Sequence, residues 1–153
     1  MRQMVLEDVD EVCSVYQICF TNDYISFSEL GEGKLDNASA VPVFRDLLLS
    51  ELKADNYYNL VYIEDNKIIG FCCNSRKTNY SGSIEVWLED WCVLPGNQGK
   101  GIGKALINGF KAWAKSINAK YIFTESGVNN QSAHAAVKKL GFEEVASVFV
   151  IKL

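Results

Sequence analysis

A mixed α/β sheet with helices on its faces is the architecture that this chain of 153 residues predicts, and three observations carry the prediction. Apolar residues recur first at helical spacing, then at strand spacing, then at both in alternation. One strand passes through a glycine-rich turn straight into a long amphipathic helix. The composition, 48% hydrophobic and 22% charged, is that of an ordinary globular domain. A single domain over residues 1–153 suits this length, and it buries roughly 68–70% of its unfolded surface, enough to fold without a disulfide or a metal.

The elements follow in order. Val12, Val15, Tyr16, Cys19 and Phe20 fall on one stripe, so residues 7–20 read as a helix. Residues 21–40 read as a loop, acidic through Asp23, Glu29, Glu32 and Asp36 against one base, Lys34. Pro42 suits a first helical turn, which predicts a second helix to about Ala54. Residues 60–63 and 67–73 flank Asp65-Asn66 and read as a hairpin. Residues 84–94 form a third strand, stopped by Pro95-Gly96, and residues 101–117 the clearest helix. A short strand at 121–124, a helix at 130–140 ended by Gly141, and closing strands at 142–146 and 148–153 complete the order.

The net charge of −4 argues against a nucleic-acid binder, which needs a basic surface, and suits a cationic partner. Five cysteines, an odd number without a Cys-x-x-Cys pair, and a lone histidine, His134, make a zinc site improbable. They read as reduced thiols of a cytoplasmic protein. Met1-Arg2-Gln3-Met4 runs directly into an acidic segment, unlike a secretory leader, and no apolar run approaches a membrane span. Expected partners are therefore a small molecule, with no nucleic acid, membrane or metal, and the chain is compatible with a homodimer.

The most informative stretch is Val93-Leu94-Pro95-Gly96-Asn97-Gln98-Gly99-Lys100-Gly101-Ile102-Gly103-Lys104. Glycines let backbone approach a ligand closely, and the first amides of the helix that follows have no internal partner. They point outward at the positive end of the helix dipole, which makes an anion site suited to a pyrophosphate. The dipole supplies at most about 2 kcal/mol, so several amide hydrogen bonds must carry most of the affinity. Lys100 and Lys104 add positive charge. The spacing is neither that of a dinucleotide fold nor that of a P-loop, and a plain strand-to-helix turn remains the alternative.

Gln98-Gly99-Lys100-Gly101-Ile102-Gly103 resembles Gln/Arg-x-x-Gly-x-Gly/Ala, the coenzyme A pyrophosphate motif of the GNAT acetyltransferase superfamily, and sits as there between a strand and a helix. Asn130-Gln131-Ser132-Ala133 and Leu140-Gly141-Phe142 match the downstream motif. The resemblance implies a mostly antiparallel central sheet of six to seven strands flanked by about four helices. It implies acetyl-coenzyme A as cosubstrate. The diphosphate would lie on residues 98–104, the pantetheine arm against the backbone of Cys92 and Val93, and Asn130 would hydrogen-bond that arm.

An amine attacking a thioester must first lose a proton, since an alkylammonium has a pKa near ~10.4. A positioned base contributes about 10²–10⁴-fold, and the developing oxyanion needs amide donors. The strand Ile84-Glu85-Val86-Trp87-Leu88-Glu89-Asp90-Trp91-Cys92 supplies the acids. Strict alternation puts Glu85, Trp87, Glu89 and Trp91 on one face and Val86, Leu88, Asp90 and Cys92 on the other, unless a bulge changes the facing. Glu89 is the leading base and Asp90 the alternative. Glu85 and Trp87 are candidate substrate contacts. Glu125, at the carboxyl end of the next strand, either faces the amine or caps loop amides. Cys92 has no histidine near it in sequence to make it a nucleophile.

The run Leu88-Glu89-x-x-x-Val93-Leu94-Pro95, the acid at Glu125 and Ser132-x-His134-Ala135 resemble one branch of the family, the bacterial aminoglycoside 6′-N-acetyltransferases. This implies a small cationic amine, an aminoglycoside or a polyamine-like acceptor, as substrate, and a link to antibiotic resistance. A peptide or protein amine, or acyl-coenzyme A binding without turnover, are the alternatives. One departure stands out: where many members carry a tyrosine as acid for the leaving thiol, this chain has Val137. No tyrosine acid follows, and His134 reads more readily as structural.

Overall fold

The computed structural model describes residues 1–21 and 25–151, with the backbone alone for Phe27. Asp23 of the acidic loop and the last two residues of the chain lie outside them. Strand β1 (Arg2–Gln3) leads through a 3₁₀ turn (Leu6–Asp8) into α1 (Val9–Cys19), followed by α2 (Phe27–Glu32) and α3 (Asn37–Glu51). Strands β2 (Leu60–Glu64), β3 (Lys67–Thr78) and β4 (Ile84–Val93) come next, then α4 (Ile102–Ser116), β5 (Ile122–Thr124) and α5 (Gln131–Lys139). The sheet runs β1-β2-β3-β4-β5. The first four strands pair antiparallel, and β5 pairs parallel to β4 after the α4 crossover.

Two apolar layers hold the sheet. On one face α1 and α3 bury Val12, Tyr16, Phe44 and Leu48 with Phe71 and Cys73 of β3. On the other, Ile102, Leu106, Ile107 and Phe110 of α4 pack on Leu60, Cys72, Val86 and Leu88. Each fully buried side chain of this size contributes about 1.5–3 kcal/mol, so the α4 stripe pins the glycine-rich turn to the sheet. Among the described residues no helix is long and apolar enough to cross a membrane.

The sheet has five strands and the chain five helices among the described residues, against the six to seven strands and four helices expected. Four differences stand out, of which the first is the short strand β1 at Arg2–Gln3, not expected from the sequence. A helix, α2, lies inside the expected loop, started by a reciprocal cap in which the Ser26 hydroxyl accepts from Glu29 N–H and the Glu29 carboxylate from Ser26 N–H. Helix α3 begins five residues before Pro42, because Asp36 caps the Ser39 amide; Pro42 is exposed within the helix. The closing strands are not formed: residues 142–151 carry no regular structure.

Candidate active site

Strand β4 and β5 are paired only over Val86–Leu88 and Ile122–Thr124, closed by the Thr124 hydroxyl donating to the Leu88 carbonyl at 3.1 Å. Beyond that point no pairing joins the two segments, which leaves a gap in the ladder between residues 89–93 and residues 125–127.

At Glu89 the ladder slips. Cys73 lies opposite Asp90 and Asn74 opposite Leu88, so Glu89 is an extra residue with nothing across from it. The bulge reverses the facing of everything after it. Cys92 packs on the α1–α3 side of the sheet, while Trp91 and Val93 pack on the α4 side with Val86 and Leu88. Strict alternation, which grouped Trp91 with Trp87 and set Asp90 apart from Glu89, is thereby corrected: Glu89 and Asp90 line one cavity.

The α4 wall of the gap is backbone. Gly96, Gly99 and Gly101 adopt φ of +82°, +77° and +84°, a conformation that only glycine takes at no steric cost. Gly101 caps α4, and Ala105 N–H bonds back to its carbonyl at 2.9 Å. The amides of Ile102, Gly103 and Lys104 precede that bond and remain free to meet an anion. Gln98 is turned inward: its Nε2 donates to the Val93 carbonyl at 3.0 Å, which ties the turn to the strand. Gly103 is needed for packing, since a Cβ there would stand 2.6 Å from Cζ2 of Trp91. Lys100 and Lys104 are exposed beside the turn. Of the two backbone positions expected along the pantetheine arm, Val93 turns its carbonyl away from β3. That of Cys92 faces β3, 2.9 Å from where a Cβ on Gly70 would be.

The opposite wall is made of side chains. A cavity of about 190 Å³ is lined by Glu32 and Lys34, by Phe44, Leu47 and Glu51 of α3, by Tyr57, by Lys77 of β3, and by Glu89 and Asp90. Glu89 accepts a short hydrogen bond from the Ser75 hydroxyl and lies 3.6 Å from the Lys77 ammonium. Lys77 also stands 5.1 Å from the centre of the Trp87 ring, which stacks on Phe123. Burial pushes the Asp90 carboxyl up to about 6; Lys34 works against the rise, and Glu29, Glu32 and Glu89 add to it. Burial alone would depress the Lys34 ammonium, but Asp90 and Glu32, the latter 2.7 Å away, lift it above its ordinary value.

Glu51 is a site residue that spacing did not reveal. Burial raises its carboxyl to about 7, with Asp90 and Glu89 adding to the shift and Asn59 opposing it. The Asn74 N–H donates to Asn59 Oδ1 at 2.9 Å, which fixes the Asn59 amide, so its Nδ2 must donate to Glu51 Oε2, at 2.8 Å. The other Glu51 oxygen is left for the cavity. Tyr16 is a core residue near Asp90, outside the cavity lining. Its buried hydroxyl has no hydrogen-bond partner, and burial and the nearby Asp90 hold it protonated. Neither residue carries a local signal: Glu51 reads as a solvated helix end and Tyr16 as core.

The remaining candidates sit as follows. Glu125 Oε1 accepts from the Ser28 N–H at 2.7 Å, so it caps α2 from across the gap. Glu85 accepts from Asn79 Nδ2 at 2.9 Å at the mouth of the β3–β4 turn, away from the cavity. Asn130 Oδ1 caps α5, accepting from Ala133 N–H and the Ser132 hydroxyl, both at 3.0 Å; its Nδ2 stays available. A wider hollow of about 550 Å³ beside Glu85 is shallow and lined by an exposed turn, and the chemistry lies in the smaller cavity.

Comparison with known proteins identifies the family. The chain matches the Acetyltransferase (GNAT) family over residues 11–142. An aminoglycoside N(6′)-acetyltransferase type 1 of Stenotrophomonas maltophilia is 30% identical over 112 residues, 71% of this chain and 73% of that protein. The crystal structure of an aminoglycoside antibiotic 6′-N-acetyltransferase from Acinetobacter haemolyticus superposes with a TM-score of 0.77, covering 99% of this chain and 96% of that one at 18% identity. An aminoglycoside N-acetyltransferase in complex with coenzyme A gives 0.75, covering 99% and 92% at 22% identity. Identities this low in the two structures speak for the fold; the family match, which spans most of the length, makes this chain a member of the GNAT acetyltransferases.

Proposed function

We propose that the chain transfers an acetyl group from acetyl-coenzyme A directly to a primary amine of a small cationic acceptor, aminoglycoside or polyamine-like. The observation that carries the reading is the carboxyl-lined cavity, which ends at the same stretch of β4 that leads into the free amides of α4. Within it Glu32 is paired by Lys34 and Glu89 by Lys77, while Glu51 and Asp90 have no cation within 4.0 Å among the described residues. A cavity with carboxyls in excess favours a cation with more than one ammonium.

Acetyl-coenzyme A, when bound, supplies the activated thioester. The amides at the head of α4, with Lys100 and Lys104, would hold its diphosphate, and the outward backbone of Val93 its pantetheine arm. The substituted ammonium enters between Glu89 and Asp90. Asp90, raised to about 6, is ionised at neutral pH yet basic enough to take a proton, and Glu89, fixed by Ser75, orients the amine. Glu51 receives a further ammonium of the acceptor. Trp87 walls the cleft, and Glu125 keeps α2 in place over it. The five cysteines, none in a disulfide, suit a reducing cytoplasm.

Thiol release assayed over amines of increasing charge tests the reading. Coenzyme A release with multiply charged amines is expected. Release with peptides alone would move the acceptor to a protein amine, and binding without release would leave an acyl-coenzyme A-binding module.

A further inference from the structure

Lysine is among the residues least often buried, and Lys34, 4% exposed, is the only buried cation among the described residues. Its place is set by the backbone on both sides. Gly33 ends α2 at φ +76°, and the Lys34 N–H donates to the Glu29 carbonyl at 2.9 Å, which reverses the chain. Two residues later the Asp36 carboxylate caps α3. Between these fixed points Leu35 turns outward and Lys34 inward.

The surroundings of the Lys34 ammonium are those that recognise an amine. Its Nζ lies 5.9 Å and 5.8 Å from the centres of the Tyr16 and Phe44 rings, which stack 4.0 Å apart and nearly parallel. Glu32 is 2.7 Å from it, and Asp90 and Glu29 add their charge. The second lysine of the cavity, Lys77, differs. Its side chain is 59% exposed and stands 3.6 Å from Glu89, so an incoming cation can turn it out into water. Lys34 is enclosed and stays.

We propose that Lys34 sets the charge specificity of the acceptor cavity: its ammonium fills, from within the chain, a position that an ammonium of the acceptor would otherwise take. The inference rests on the amine acceptor proposed above and adds how many charges that acceptor can carry with gain. Of the cavity's carboxyls, Glu32 is held by Lys34, while Glu51, Asp90 and, once Lys77 turns away, Glu89 remain for the acceptor. A further ammonium finds no carboxylate left and stands against a like charge, which costs affinity. A neutral residue at position 34 reverses this. The Glu32 side chain is 37% exposed, so its carboxylate stays hydrated and ionised without Lys34 and is free to receive that ammonium.

Coenzyme A release by the wild type, Lys34→Met and Lys34→Gln, with a linear diamine, triamine and tetra-amine of equal spacing, tests this. Met keeps the flexible, unbranched side chain without its charge. Gln retains a donor toward Glu32 and guards against a Met variant that fails to fold. In the wild type kcat/KM should rise from diamine to triamine and gain no more than about twofold at the tetra-amine. In the variants the tetra-amine to triamine ratio should rise about tenfold, through a lower KM for the tetra-amine. Losing Lys34 also removes the charge that opposes the rise of the Asp90 carboxyl, but that acts on every amine alike and cancels in the ratio. A ratio unmoved in the variants, whatever happens to Tm, makes Lys34 a purely structural ion and overturns the proposal while leaving the amine acceptor in place. A wild type that releases no coenzyme A with any of these amines overturns the acceptor reading and this inference with it.

Discussion

On its α4 side the transfer site is lined by backbone, and on its α2–α3 side by side chains. The backbone wall is made within a dozen consecutive residues, Val93 to Lys104, whose geometry is fixed by three glycines of positive φ and the start of one helix. The side-chain wall is assembled from five places: α2 and the turn after it, the second half of α3, the loop carrying Tyr57, the end of β3 and the bulge of β4. In the function proposed, the first wall would hold a group common to the whole family and the second an acceptor. A backbone site survives most side-chain changes but not an added Cβ or a lost positive φ. A side-chain site fails one carboxyl at a time. The two walls should therefore break differently.

The largest effect is expected at the backbone wall. Gly101→Glu forces a non-glycine residue to φ +84° and sets a carboxylate where the diphosphate would lie. Binding of acetyl-coenzyme A should be lost in calorimetry, and normal affinity would remove the diphosphate from this turn. Next in size, Asp90→Asn should lower kcat about 10²–10⁴-fold with acetyl-coenzyme A affinity unchanged. In the wild type, kcat/KM should fall as pH drops below about 6, where the Asp90 carboxyl takes up its proton, and that fall should be absent from the variant. Glu89→Gln should likewise lower turnover more than cofactor affinity; unchanged turnover would take Glu89 out of the mechanism.

Glu51→Gln sharpens the comparison, because function and stability should move in opposite directions. Its amide still accepts from Asn59, but it no longer meets an ammonium, so KM for a multiply charged amine should rise about tenfold while KM for a monoamine stays within a factor of two or so. The folded carboxyl holds its proton up to about pH 7, whereas the unfolded chain releases it in the ordinary carboxylate range. The native state therefore binds more protons through that window and loses stability as pH rises across it. Glu51→Gln removes the loss and should raise Tm at pH 8 by on the order of 3 °C. An equal rise in both KM values would make Glu51 purely structural. The smallest effect belongs to Glu125→Gln, which weakens the cap on Ser28. It should cost about 1 kcal/mol, read as a Tm lowered by about 2–4 °C.

The same contrast explains what the sequence disclosed. The backbone wall was legible because its parts are contiguous: a strand stopped by Pro95, glycines at the turn and an apolar stripe from Ile102 to Ala114 fix one local geometry. The acceptor wall was half legible. The acids of β4 were evident, but their facing was not, since one extra residue at Glu89 turns Trp91 to the other side of the sheet, and only pairing with β3 reveals it. Helix α2 had a readable signal in Ser26 and Glu29, three apart, hidden among the acids of an apparent loop. Glu51 and Tyr16 gave no signal, because what marks them is proximity to residues about 40 and 75 positions away in sequence, Asp90 in both cases. The closing strands were expected from period and composition, but residues 142–151 join no ladder, and neither signal says whether a partner strand is within reach.

The central claim is that a diphosphate-gripping helix start and an acid-rich cavity meet at one strand to acetylate a cationic amine. Single-turnover release of thiol from bound acetyl-coenzyme A, with a monoamine, a diamine and a tri- or tetra-amine compared at neutral pH, measures it most directly. Release that saturates at lower amine concentration as the charge rises, with the acetyl group recovered on a primary amine, is the result expected. Tight binding of acetyl-coenzyme A with no amine-dependent release at any charge would contradict it.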